Sequence, residues 1–270
     1  MFEDVQTFEE EFGRKIKLPT QVVKIRTALG IAYDYRFNKE FDKYNEQIKR
    51  LHNKHEGERC FIIGSGPSLN KTDFSLIKNE ILFGVNTLYR GLKKFDISCD
   101  YWAVVDGKLF EVHYKPLLKL DTTLFLAEHA GQRYLKKKEF YSSDAALEPI
   151  VLRHLGSMNI WNKFSRDITQ GVFSGGTVVI QSIQIAFYLG FKQVYLLGCD
   201  SDYSGMHRFD NLMTENVDGK GVTGGISYLF SAYEICRNAF EDEGREIINS
   251  TVGGKLEVFK RKRLEDVVGS

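Results

Sequence analysis

Short apolar runs that do not alternate with polar residues are the strongest constraint this chain places on its fold. Cys60–Ile63, Ile81–Val85, Tyr101–Val105, Thr123–Leu126 and Val194–Leu197 are apolar at almost every position, and Glu246–Asn249 carries a later run. A strand with one wetted face reads apolar–polar–apolar, whereas a strand with no polar face is covered on both sides. Between the runs, Val112–Leu120, Gly176–Leu189 and Tyr228–Glu243 carry helical patterning. Strands covered on both faces and separated by helices make a parallel sheet, and right-handed crossovers make it doubly wound. Such a sheet places its site at the carboxyl ends of its strands.

The first 57 residues have a different texture, rich in charge and aromatics and poor in glycine. Phe8, Phe12 and Ile16 fall at helical spacing, as do Val22, Ile25, Leu29 and Tyr33, and then Tyr44, Ile48 and Leu51. The spacing predicts an N-terminal helical extension over 1–57, packed on the main domain or on another subunit of a homo-oligomer. A Rossmann-like domain over 58–258 follows, and then a basic tail over 259–270. Net charge is +1, from 37 Lys+Arg against 36 Asp+Glu, so bulk attraction to nucleic acid is excluded as the main theme. No run approaches the roughly 18 apolar residues of a membrane span. The four cysteines, Cys60, Cys99, Cys199 and Cys236, lie far apart and read as buried free thiols of a cytoplasmic protein.

Chemistry concentrates at the strand ends. Cys60-Phe-Ile-Ile-Gly64-Ser65-Gly66-Pro67-Ser68-Leu69 is a strand, two glycines around one small residue, and a helix-like start. Glycines let a ligand approach the backbone, and amides at a helix start suit phosphate. Leu69 stands where a dinucleotide fingerprint has its third glycine, and no Gly-Lys-Ser/Thr follows, so neither standard nucleotide loop is present. Three more strands exit on polar residues: Asn86, Asp106 and Asp200. Ser174, Gly175, Gly176 and Thr177 bring small side chains and amides to a further helix start. Asp200 and Asp202 form an Asp-x-Asp pair that would suit Mg²⁺ on a diphosphate. His113, His129 and His154 are scattered and read as surface or satisfied core residues.

The order Ile62-Ile-Gly-Ser-Gly-Pro-Ser-Leu69, Phe83-Gly-Val-Asn86, Leu189-Gly-Phe-Lys-Gln-Val-Tyr-Leu-Leu-Gly-Cys-Asp200 and Asn249-Ser250 resembles the bacterial sialyltransferases of glycosyltransferase family 42. It is similar also to the wider family of archaeal 6-hydroxymethylpterin diphosphokinases and flagellin-modifying glycosyltransferase-like proteins. The resemblance spans roughly residues 59–260. It implies that Gly64, Ser65 and Gly66 line a nucleotide phosphate site and that Asn86 contacts a CMP-sugar donor. Asp106 replaces another donor-contacting asparagine, and Ser174 or Thr177 supplies a hydroxyl at the helix entry. Tyr203 steadies the departing phosphate, and Asn249 and Ser250 lie near the nucleotide. The sialyltransferase histidine before the last long helix is absent here, where Gly224-Gly225-Ile226 stands. His207, in Tyr203-Ser-Gly-Met-His-Arg-Phe, is the nearest replacement and could deprotonate an acceptor hydroxyl.

The expected function is therefore glycosyl transfer from a CMP-activated, sialic-acid-like donor to a cell-surface glycan, by direct displacement and without a cofactor. Alternatives are an Mg-dependent diphosphokinase acting on a hydroxymethylpterin-like acceptor and a nucleotide-binding scaffold without turnover. Lys260-Arg-Lys-Arg263 beside Phe259 and Leu264 admits peripheral contact with the inner face of a membrane, worth a few kcal/mol at best. Gly219–Gly225 reads as a loop able to close over the donor.

Overall fold

A computed structural model of the protein describes residues 5–9, 15–19, 39–137, 147–202, 208–210 and 225–268. Two strands, β1 (Val5–Glu9) and β2 (Lys15–Pro19), form an antiparallel pair with Phe8 opposite Ile16. Phe8 and Ile16, expected on one helix, thus lie on paired strands, and Phe12 lies outside the described residues. Helix α1 (Lys39–Lys49) forms as expected, with Tyr44 and Ile48 buried. The expected helix around Val22–Tyr33 lies outside the described residues.

The main sheet has eight strands in the order β12-β11-β10-β3-β4-β5-β6-β7. These are β3 (Arg59–Ile63), β4 (Ile81–Val85), β5 (Tyr101–Val104), β6 (Thr123–Ala127), β7 (Ile150–Leu152), β10 (Gln193–Leu197), β11 (Glu246–Asn249) and β12 (Lys260–Arg261). Every neighbouring pair is parallel. Successive residues of β3, β4, β5, β6 and β10 are buried irrespective of which face they point to, so helices cover both sides. All six runs read from the sequence as strands are strands. The four cysteines are free and buried, and burial pushes the Cys199 thiol up to about 12.

Helix α2 (Gly107–Leu118) follows β5 and α3 (Glu128–Lys136) follows β6. A separate parallel pair, β8 (His154–Ser157) and β9 (Val172–Ser174), then leads into α4 (Val178–Tyr188). Every residue of α4 is buried, because it lies between the sheet on one side and β9 with α5 (Gly225–Glu241) on the other. Gln184 makes that position tolerable. Its Oε1 accepts from the amides of Phe173 (3.0 Å) and Ser165 (3.2 Å), and its Nε2 donates to the Phe173 carbonyl (2.8 Å). The chain beyond 258 is not a loose tail: Lys260–Arg261 is the sheet's edge strand, and α6 (Leu264–Val268) buries Leu264 and Val267. Arg261 is tied to the carbonyls of Thr251 (3.0 Å) and Gly253 (2.8 Å) and to Glu257, which removes it from the expected basic surface. Among the described residues, no helix is long and apolar enough to cross a membrane.

Candidate functional site

Strand order reverses between β3 and its two neighbours. From β3 the chain steps outward through β4, β5, β6 and β7, then returns to the other side of β3 as β10 and steps outward again. The carboxyl ends of β3 and β10 therefore diverge above the sheet and open a crevice at the switch point. A cavity of about 210 Å³ lies there, walled by Gly64–Gly66, Asn86, Thr177–Val179, Gly198–Asp202 and Arg208. A second cavity of about 780 Å³ adjoins it over the ends of β4, β5 and β6. Asn86, Thr177 and Val178 belong to both walls.

The glycine loop is held from below. The amides of Gly64 and Gly66 donate to the carbonyls of Leu197 (2.7 Å) and Gly198 (2.9 Å). Asp200 accepts from Ser68 twice, from Oγ at 2.7 Å and from the amide at 3.2 Å. A β-carbon at Gly66 would overlap Asp200 Oδ2, so this glycine admits the carboxylate that locks the loop. Burial raises the Asp200 pKa while the Ser68 bonds oppose the shift. Gly198 has φ +64°, and a side chain there would press into Leu69. The Leu at the third position of the loop thus occupies the space that Gly198 leaves.

Asn86 and Ser201, both on the crevice wall, have left-handed backbones, with φ +47° and +49°. The Asn86 carbonyl accepts from Trp102 Nε1 at 3.1 Å. Asn86 Oδ1 is buried and, among the described residues, has no hydrogen-bond partner. Arg208, which the sequence did not single out, reaches the same crevice because the Phe209 amide bonds the Ser65 carbonyl at 3.0 Å. Its guanidinium lies 3.5 Å from Asp210 and bonds Thr87 Oγ1, while Arg90 contacts the other oxygen of Asp210 at 3.3 Å. Arg208 thus brings a guanidinium to a crevice wall that also carries Asp200 and Asp202. Burial, chiefly, lowers the Arg208 pKa.

The other residues named from the sequence divide. Thr177 caps α4 through the Val179 amide, and Gly175 fits tightly against Ala232 of α5; both stand on the wall of the larger cavity. Asp106 caps α2 through the Leu109 amide (2.9 Å) and lines the same cavity. Asn249 and Ser250 line neither cavity. Asn249 is spent on the Leu256 carbonyl (2.7 Å) and the Thr251 amide (3.0 Å), a loop staple rather than a nucleotide contact. Tyr203 and His207 lie outside the described residues, as does the loop from Gly219 to Gly224. Asp202 pairs with Lys255 at 3.0 Å and Asp200 faces Ser68, so neither carboxylate is arranged as a ready metal ligand. Among the described residues no group of three metal-type side chains forms.

Two of the histidines read as incidental meet in the larger cavity. His154 starts β8 and His129 lies in the first turn of α3; their ring centroids are 5.8 Å apart. His154 Nε2 lies 3.1 Å from Ser174 Oγ, which also donates to the Gly156 carbonyl at 3.4 Å, and Tyr228 of α5 bonds Ser157. Burial, with His129 alongside, lowers the His154 pKa to about 4. No spacing in the sequence joins residues 129, 154, 174 and 228; only the β8–β9 pairing and the docking of α5 do so.

No curated protein matches the chain. The structure is similar to the MAf glycosyltransferase from Magnetospirillum magneticum AMB-1, with a TM-score of 0.52 and 16% sequence identity, which shows a shared fold. The match covers 80% of this chain but 35% of that larger one, so the chain spans about a third of the length of the protein it matches. Residues 35–206, which hold the glycine loop and most of the switch-point crevice and of the larger cavity, match the 6-hydroxymethylpterin diphosphokinase MptE-like family. The match takes in well over half of the chain, and the broader of the two resemblances is thereby shown: the chain belongs to the 6-hydroxymethylpterin diphosphokinase MptE-like family.

Proposed function

We propose that the protein is a nucleotide-dependent transferase that seats nucleotide phosphate in the switch-point crevice and the acceptor in the larger cavity. The observation that carries this reading is Asn86. A buried acceptor without a donor costs about 1–3 kcal/mol. The residue sits where the two cavities meet, so a ligand spanning both would supply the missing donor. Arg208 and the Gly64–Gly66 loop complete an anion-binding wall beside it.

Within this reading we favour glycosyl transfer from a CMP-activated sugar to a glycan acceptor. The likeness of fold to a glycosyltransferase supports it, as does the commitment of Asp200 to Ser68 rather than to open space. A monophosphate-linked donor needs less charge neutralisation than a diphosphate, and the single guanidinium of Arg208 on the crevice wall suits it. The second reading, pyrophosphate transfer from ATP to a hydroxymethylpterin-like acceptor with Asp200 and Asp202 on Mg²⁺, draws on the name of the matched family. It requires Ser68 to release Asp200 and Lys255 to release Asp202.

Calorimetric titration with CMP, CDP, UDP, GDP and ATP, with and without Mg²⁺, tests both. CMP binding that ignores Mg²⁺ supports the first, and ATP binding that needs it supports the second. Asn86→Gly keeps the left-handed backbone and deletes the side chain, so it should weaken nucleotide binding about tenfold, or 1.4 kcal/mol, without loss of stability. Failure of all five to bind would remove the reading.

A further inference from the structure

Resting on the transferase reading, we infer that Ser174 and His154 form a hydroxyl–imidazole relay that takes the proton from the acceptor hydroxyl in the larger cavity. Both side chains stand on the wall of that cavity, with Ser174 Oγ and His154 Nε2 3.1 Å apart. Ser174 closes β9 immediately before the small residues that lead into α4, and it lines the larger cavity together with Thr177 and Val178, which the two cavities share. An acceptor in the larger cavity can therefore meet Ser174 while the transferred group faces the crevice. Tyr228 bonds Ser157 at the end of β8, and Ser174 Oγ also lies 3.4 Å from the Gly156 carbonyl, which it must leave to donate to His154.

The surroundings keep the imidazole unprotonated. Burial disfavours its cation and His129 stands beside it, and together they outweigh the Gly156 carbonyl, which favours the cation. The nearest carboxylate, Glu128 of α3, is turned to the His154 backbone amide (2.8 Å) and to Gln132 (3.0 Å). Arg133 of α3, Asp106 and Lys108 beside α2, and Tyr228 of α5 are the remaining titratable groups on the cavity wall. With its N–H on Nδ1, the ring presents the Nε2 lone pair to Ser174. In the step, the acceptor oxygen bonds the transferred group as the bond from that group to the nucleotide phosphate breaks. The leaving electron pair stays on the phosphate oxygen. The acceptor proton passes to Ser174 Oγ, whose own proton passes to His154 Nε2, and the imidazolium then gives it to water.

Two measurements test the relay without knowledge of the acceptor. ¹⁵N NMR of the histidine-labelled wild-type protein at pH 7 should show His154 neutral, with the proton on Nδ1; an Nε2–H tautomer, or an imidazolium, overturns the proposal. Diisopropyl fluorophosphate, which reacts with hydroxyls activated by a base, should label Ser174 in the wild type, read by mass spectrometry of the peptide. His154→Gln should slow that labelling by about 100-fold or more. Unlabelled Ser174, or labelling that His154→Gln leaves unchanged, overturns the relay. Titration of wild-type protein with CMP and with ATP reports separately on the transferase reading: no binding there beside full Ser174 labelling would overturn that reading and not the hydroxyl–imidazole pair.

Discussion

Gly66 shows how a residue legible in the sequence acts for a reason only the structure gives. The sequence marks it as a glycine that lets phosphate approach, yet the nearest obstacle to a side chain is Asp200 Oδ2, below the loop. Gly66→Val should therefore destabilise the fold itself, by about 1–3 kcal/mol as overpacking does, as well as abolish nucleotide binding. Ser68→Ala is the complementary variant. It deletes a hydrogen bond to a carboxylate and should cost about 1.5–3 kcal/mol, read as a shift of the urea midpoint at constant slope. A midpoint unchanged in Ser68→Ala would show that Asp200 does not lock the loop. Asn86 and the glycines could be found from the sequence because a strand end fixes them locally. Arg208 could not, because it reaches the crevice through the bond from Phe209 to Ser65, a contact across 144 residues that no local pattern encodes.

At the scale of elements, the site depends on how β9 is fastened to α4. Gln184→Ala would leave the amides of Ser165 and Phe173 and the Phe173 carbonyl unpaired in a buried place. Each such loss costs about 1–3 kcal/mol, so the variant should lose about 2–4 kcal/mol after relaxation. Because Ser174 is the next residue along β9, Gln184→Ala should also raise the solvent exchange of the 172–174 amides more than that of β3. Equal protection at β9 in both proteins would show that the helix is fastened elsewhere. The apolar runs of β3, β4, β5, β6, β10 and β11 were readable because double-sided burial leaves no room for polar residues. The short β7, β8, β9 and β12 were not, since two to four residues carry too little pattern, and the N-terminal strand pair mimics helical spacing.

The whole molecule should respond to acid through His154. Its folded pKa of about 4 lies below the ordinary 6.5, so the unfolded chain binds this proton more readily. The sign follows: the contribution is fully present above about pH 6.5 and is lost as pH falls toward 4. Denaturation midpoints measured across that window should fall for the wild type and fall less steeply for His154→Gln; parallel curves would show that the imidazole is not buried as described. The parallel order of the sheet also has a consequence for how the chain reaches this state. Central strand β3 (Arg59–Ile63) waits for β10 (Gln193–Leu197), which is made some 130 residues later, before its second edge is covered. A chain leaving the ribosome at about 5–20 residues per second thus carries that edge uncapped for roughly 7–26 seconds. Closing so long a loop is slow, and an open apolar edge is a template for other chains. A chaperone that shields extended apolar strands would act on the nascent protein in that interval, and its need for one would end when Gln193–Leu197 emerges.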